Sequence, residues 1–255
     1  MTEATFIRSQ LLADHGVTAI FSLRHGGVSP PPFDQQNFGA GLGDDARHIE
    51  QHLKNLIDAA ALPATPHQAD QVHGVEILQC GGAGRMHKQP ADILISRERD
   101  VALAVRTADC LPILLADPKA GVIAAVHAGW RGTAGNIARR AVNAMIQYGA
   151  KPEHLLAWLG PCIGPCCFAI GADTAATLHH CCAGAATHIA TTPSGIFADL
   201  HEINRLQLAN AGIDDTHIEI DVACTACDHS RFFSFRRDRG ATGRHLAIVA
   251  IPSST

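Results

Sequence analysis

A thiol and an imidazole stand on either side of one turn. Cys110 ends the segment Thr107-Ala108-Asp109-Cys110, His127 ends the apolar run VIAAVH, and Asp117-Pro118-Lys119-Ala120-Gly121 lies between them. Proline suits the first corner of a turn and glycine accepts positive φ, so the flanking runs are expected to form a β-hairpin. Either common turn length puts Cys110 opposite His127 or diagonal to it, and in both registers the two side chains leave the same face of the sheet. A slip of one residue would part them. Both residues also sit where buried strand gives way to polar loop, at the rim of a sheet. Three readings are open: a catalytic Cys/His pair, part of a metal site, or a buried cysteine beside an unrelated histidine, and hairpin geometry alone favours the last.

Other reactive residues carry weaker signals. Cys224-Thr225-Ala226-Cys227 is a single CxxC with no second pair at zinc-knuckle spacing, and Cys162, Cys166 and Cys167 lie in a Gly/Pro loop, so all five read as structural thiols. Arg231, Arg236, Arg237, Arg239 and Arg244 concentrate guanidiniums in one short stretch, either as a phosphate site or as a salt-bridged surface loop. A second place for an anion is the start of a helix expected after Gly132, where free N–H groups and the helix dipole favour negative charge. Gly39, Gly41 and Gly43 do not fit a dinucleotide fingerprint, since no strand precedes them.

The elements that must position these residues can be read from hydrophobic periodicity. Residues 46–60 place Ile49, Leu53, Leu56, Ile57 and Ala60 at helical spacing after Asp44 and Asp45, which can cap the first turn. The runs VALAVR, LPILLA and VIAAVH are short and almost wholly apolar, as central strands buried on both faces would be. A helical stripe over 136–148 ends at Gly149. Further on, the pattern predicts a strand at LLAWLG, a loop over 160–167, a helix over about 173–182, and a helix capped by Asp199 and Glu202 running to about Ala211. HIEIDV reads as a strand and HLAIVAI as a buried closing strand. No Pro/Ser-rich linker divides the chain, so residues 1–255 are expected to form a single α+β domain.

Composition sets limits on function. The 255 residues are 47% hydrophobic and 17% charged, too apolar for disorder. A formal charge of -4 disfavours nucleic-acid binding, which needs a basic face. The N-terminal segment lacks a leader-like apolar core and no stretch approaches the length of a membrane span, so a cytoplasmic protein is expected. Nine cysteines in such a chain read as reduced thiols, metal ligands or nucleophiles before disulfides.

Several segments occur in one order: RHGGVS at 24–29, NFG at 37–39, QVHG at 71–74, TADCLPILLAD at 107–117, AVHAGWRG at 125–132, GPCIGPCCF at 160–168 and FFSFRRDRGATGR at 232–244. Together they resemble the YfiH-type proteins, also called polyphenol oxidase or laccase-domain proteins and regarded as purine nucleoside enzymes. The resemblance spans nearly the whole chain and implies a mixed β-sheet/sandwich core flanked by helices. It implies that His73, Cys110 and His127 hold a catalytic zinc (Zn2+). Two imidazoles and one thiolate leave the fourth tetrahedral position open, as a catalytic zinc requires. It also points to Arg24, Asn37 and Gln71 as substrate-binding candidates, since an amide can pair with a purine edge, and to Arg236 and Arg237 as phosphate ligands.

The implied activity is phosphorolysis of adenosine, inosine, guanosine or S-methyl-5′-thioadenosine by inorganic phosphate, with adenosine deamination on the side. A rival from the same residues is a Cys/His hydrolase or amidase acting on a peptidoglycan precursor, with Cys110 as nucleophile and His127 as base. Polyphenol oxidase activity is disfavoured, because the chain has no HxH segment and only three methionines. A protein that binds nucleosides without turnover is the non-enzyme alternative, and the oligomeric state is left open.

Overall fold

The computed structural model describes residues 5–253. The leader reading rests partly on residues 1–4, which lie outside them. Along the chain the elements run β1 (Phe6–Arg8), α1 (Gln10–Ala13), β2 (Thr18–Ser22), α2 (Ala46–Ala59), β3 (Gln68–Asp70), β4 (Ile77–Gln79), β5 (Met86–Pro90), β6 (Ile93–Ser96), β7 (Ala102–Thr107), β8 (Leu111–Asp117) and β9 (Val122–Ala128). There follow α3 (Trp130–Ala134), α4 (Ile137–Gln147), β10 (Leu156–Leu159), β11 (Ala169–Ile170), α5 (Ala172–His179), β12 (Ile189–Thr192), β13 (Gly195–Ala198), α6 (Leu200–Ala209), β14 (Ile218–Ile220) and β15 (His245–Ala250).

Two sheets face each other. One has the order β1-β2-β15-β7 and is antiparallel throughout; the other has the order β14-β10-β8-β9-β6-β4, with parallel pairs only at its two edges. Strand alternation sorts their side chains into three cores. Leu94, Leu114, Ala116, Ile123, Ala125 and Trp158 meet Phe21, Leu103, Val105, Ala247 and Val249 between the sheets. The alternate residues of the larger sheet, among them Ile93, Ile113, Leu115, Ala124 and Val126, pack under α4 and α6. On the outer face of the smaller sheet, Ala102, Ala104, Leu246 and Ile248 receive Leu53, Leu56, Ile57 and Ala60 of α2 and its end. The result is helix, sheet, sheet, helix: an α+β sandwich flanked by helices, as expected. Asp45 caps α2 by accepting from the Arg47 N–H, and Asp199 caps α6 by accepting from the Glu202 N–H.

The β8–β9 hairpin forms at the expected turn. Gly121 sits at φ 70° and donates to the Asp117 carbonyl, while the Asp117 carboxylate accepts from the Lys119 and Ala120 N–H groups. Pairing runs from Asp117 opposite Val122 to Leu111 opposite Ala128.

Three expectations need correction. The run VALAVR, β7, ends its sheet: β15 is the strand that pairs along its length, and its other edge makes only an isolated backbone bridge, from His67 to Leu103, among the described residues. Its two apolar faces reflect the layers above and below, with Leu103 and Val105 between the sheets and Ala102 and Ala104 under α2, and not two strand neighbours. The helix expected over 136–148 begins at Ile137, because Asn136 at φ 62° separates it from the short α3. Gly132 therefore lies within α3, the next helix starts only at Ile137, and there the N–H of Ala138 is taken by the Gln207 amide oxygen at 3.3 Å. HIEIDV contributes only the short edge strand β14. Among the described residues, no helix is long and apolar enough to cross a membrane.

Candidate active site at the open end of the sandwich

Sheet parity explains why a site forms here. His127 follows Ile123 and Ala125 on the inter-sheet face of β9, and Cys110 precedes Leu114 and Ala116 on the same face beside it. Pro112 pairs with His127, so the observed register puts Cys110 diagonal to the imidazole. At this end the sheets no longer bury each other with apolar side chains, and a cleft of about 390 Å³ opens. That is within the range of about 300–1,000 Å³ usual for small-molecule sites.

His73 reaches the pair from the loop between β3 and β4, where its backbone adopts φ 60°. One donor atom from each of His73, Cys110 and His127 lies within 4.8 Å of the other two, and the imidazole rings meet edge-to-face at 4.8 Å. The chain runs so close here that a Cβ on Gly129 would stand 3.1 Å from both the Cys110 Sγ and His73 Cδ2.

Asp92, which the sequence did not single out, organises this group. Its Oδ1 accepts from His127 Nδ1 at 2.7 Å and from the His73 N–H at 3.1 Å, while Oδ2 accepts from the Gly74 N–H at 2.7 Å and the Val72 N–H at 3.2 Å. One buried carboxylate thus fixes the QVHG loop and leaves His127 Nε2 for the cleft. The only signal in the sequence was an acid directly before an apolar strand. Burial by itself would push the Cys110 thiol up, but His127 and His73 outweigh it and hold the thiol down at about 6. Burial also acts against a charged His127, yet the neighbouring Cys110 and Asp92 raise it to about 9.

The other expected residues separate. Arg236 lines the cleft, its guanidinium 5.5 Å from the Phe168 ring centroid and one N–H on the Ala169 carbonyl. Gln71 lines it too, but its amide both donates to the Arg106 carbonyl and accepts from the Arg106 N–H, closing the edge of β7. Asn37 is buried beneath the rim: it accepts from the N–H groups of Gly39 and Arg244 and donates to Asp44. Arg237 braces its own loop through the Thr225 and Phe232 carbonyls and Asp238. Arg24 pairs with Asp34 at 3.0 Å, lies over Phe233, and lines a separate groove with His229.

Two further arginines face the cleft. Arg106, hidden in the apolar run of β7, donates to the Ala69 carbonyl, and Arg244 donates to the Thr242 and Gly243 carbonyls. Burial lowers the pKa of both. Asp109, at φ 87°, joins three segments around them. Its carboxylate accepts from the Thr225 hydroxyl and the Arg236 N–H, each at 2.6 Å, and its carbonyl accepts from the Ile163 N–H. Phe168 and Phe235 supply aromatic walls.

The comparisons agree with this architecture. A family model described as "Multi-copper polyphenol oxidoreductase laccase" matches residues 18–252. Purine nucleoside phosphorylase YfiH of Escherichia coli (strain K12) is 37% identical over 234 residues, 92% of this chain and 93% of that protein. Purine nucleoside phosphorylase of Xylella fastidiosa (strain 9a5c) is 39% identical over 248 residues, 94% of each chain. Among solved structures, YlmD from Geobacillus stearothermophilus superposes with a TM-score of 0.89 at 33% identity, covering 99% of this chain and 98% of that one. The Bacillus licheniformis hypothetical protein YfiH gives 0.90 at 30% identity, covering 98% and 97%. The chain belongs to the multi-copper polyphenol oxidoreductase laccase family, among its YfiH-type members.

Proposed function

We propose that this chain is a zinc-dependent purine nucleoside phosphorylase acting in the cytoplasm on adenosine, inosine, guanosine or S-methyl-5′-thioadenosine, with adenosine deamination as a side activity. The observation that carries this reading is one cleft holding both a His73–Cys110–His127 donor group and the guanidiniums of Arg106, Arg236 and Arg244. The names of the relatives supply the reaction class. The donors fit zinc, since two imidazoles and a thiolate leave one position open and a carboxylate backs His127. They fit a copper oxidase poorly, because among the described residues no methionine lines the cleft to serve as an axial ligand.

The arginines hold phosphate, each kept in place by a backbone carbonyl, and neutralise the nucleophile as it approaches C1′. The C1′–N bond breaks as the phosphate oxygen bonds, and the purine leaves with the electron pair and takes up a proton. Phe168 and Phe235 offer faces against which the planar base can stack. When bound, zinc supplies Lewis-acid stabilisation of charge on the departing base and, for deamination, activation of water. Asp92 keeps the His127 ring oriented throughout.

Base release from adenosine or inosine should require inorganic phosphate and yield a pentose 1-phosphate; equal release of free ribose without phosphate would overturn the reading. Arg236→Lys should weaken the apparent affinity for phosphate while zinc content is unchanged, because a lysine loses the two-pronged grip. Arg237→Lys should leave phosphate affinity alone, since Arg237 is occupied with its own loop.

A second reading has its own observation. The depressed Cys110 thiol beside a raised His127 describes a thiolate–imidazolium pair, as in a Cys/His hydrolase or amidase acting on a peptidoglycan precursor. A strong chelator should abolish activity in the zinc enzyme and spare the thiol enzyme.

A further inference from the structure

Outside the cleft, the fold assembles a second group of donors that the sequence presents as unrelated. Cys166 and Cys167 lie in the loop after β10, and Cys224 and Cys227 follow β14. The loop turns tightly, with the Cys167 and Phe168 N–H groups both on the Gly164 carbonyl at 2.9 Å. The second segment is docked beside it by an isolated backbone β-bridge between residues 162 and 224 and by the Thr225 N–H on the Cys162 carbonyl. All four sulfurs lie within 4.8 Å of one another, with Cys227 Sγ 3.5 Å from Cys166 Sγ and 3.3 Å from Cys167 Sγ.

We propose that Cys166, Cys167, Cys224 and Cys227 form a second metal site, a tetrahedral four-thiolate site for zinc that is structural and distinct from the cleft. A Zn–S bond of about 2.3 Å places the sulfurs of a regular tetrahedron about 3.8 Å apart, so the two Cys227 spacings lie within about half an ångström of that value and the remaining ones exceed it by no more than about 1 Å. The Gly164 N–H already points at Cys224 Sγ at 3.2 Å, as backbone amides do around metal thiolates. Burial opposes ionisation of Cys224, but the Gly164, Cys227 and Ala226 amides together outweigh it and lower its pKa. Burial and neighbouring sulfurs push Cys166 up to about 11, so without a cation these groups are crowded thiols, and zinc binding would release their protons. Four thiolates and no open position make a site that holds structure and performs no chemistry. The cluster of His67, Cys80 and His87 is a weaker candidate, since its two imidazoles already bond each other at 2.8 Å and burial pushes Cys80 up to about 12.

This placement gives the site a role. The first loop carries Ile163 and Phe168 into the cleft wall, and Thr225, between the other two cysteines, donates to Asp109. Zinc here would pin together the two segments that form one side of the cleft.

Metal analysis of the full chain purified under reducing conditions should find about two zinc ions per chain. The Cys110→Ala variant should keep one, and loading that variant with cobalt should give the intense thiolate charge-transfer absorption of a sulfur-only tetrahedral site. Cys166→Ser with Cys227→Ser should lose the other ion while the cleft retains its own. If that double variant does not fold, alkylation of the wild-type chain decides: the four thiols should be protected and become reactive only after a strong chelator is added. A Cys110→Ala protein without metal, equal zinc content in wild type and double variant, identical alkylation with and without chelator, or recovery of these cysteines as disulfides would each overturn the proposal. Failure of the phosphorolysis assay would leave these readouts unchanged, so the two readings fall separately.

Discussion

At the scale of single residues, the unusual member of the cleft is Asp92, which carries no chemistry itself yet touches both histidine positions. Its two oxygens accept four hydrogen bonds, three of them from backbone N–H groups of the QVHG loop. In Asp92→Asn, one oxygen becomes an NH2 that confronts N–H donors, and the charge that stabilises a positively polarised His127 is lost. Because outer partners of metal ligands typically contribute about 10–100-fold to metal affinity, the variant should bind zinc about that much more weakly, read by competition with a chromophoric chelator. It should regain activity in excess zinc if the group acts only by positioning. Unchanged zinc affinity would show that the loop holds His73 without help. The same view separates the arginines: those of the FRRD motif are adjacent in sequence, but Arg236 faces the cleft and Arg237 faces its own loop.

At the scale of elements, the β8–β9 hairpin shows how far local rules reach. Turn chemistry and strand alternation leave two registers, both of which put Cys110 and His127 on one face, so their shared face could be read from the chain itself, and the observed pairing is the diagonal one. The hairpin also explains Gly129, which stands across from Cys110 and leaves room for Cys110 and His73 to close. Gly129→Ala adds a methyl group at 3.1 Å from both, an overpacking that typically costs about 1–3 kcal/mol. Since the neighbours that must move are proposed ligands, zinc affinity should fall by about tenfold or more, in addition to a drop of several degrees in the melting temperature of the metal-free protein. Non-local features were less legible. His73 lies in a loop and entered only through the motif resemblance, Arg106 is masked by the apolar strand around it, and Asp92 has no local pattern to mark it beyond standing directly before an apolar strand. The two cysteine pairs meet only because β10 and β14 are adjacent and parallel, a pairing that no local pattern encodes. The edge position of β7 was missed for a related reason: burial between layers gives the same composition as burial between strands.

At the scale of the whole molecule, the two sheets are sealed beside the cleft by His245, the first residue of β15, which is buried among Phe21, Phe232 and Phe233. Its Nε2 accepts the Phe233 N–H at 2.7 Å, which requires the ring to be neutral at that nitrogen. Burial, reinforced by the positive charges of Arg24 and Arg237, holds its pKa down at about 3, whereas the unfolded chain titrates at about 6.5. Above pH 6.5 neither state is protonated here and His245 adds no pH dependence. Below it the unfolded chain takes up a proton that the fold excludes, so stability falls on acidification from about 6.5 toward 3, by up to about 1.4 kcal/mol per pH unit. His245→Gln can still accept the Phe233 N–H but cannot titrate. The variant should be less stable at pH 7.5, through lost packing, and the gap to wild type should narrow steadily by pH 4.5 in urea denaturation. Taking the difference between the two proteins removes the contribution of the other fifteen of the sixteen histidines. A gap that stays constant with pH would mean that His245 is no less protonated in the fold than in the unfolded chain, and that the junction of the sheets tolerates its charge.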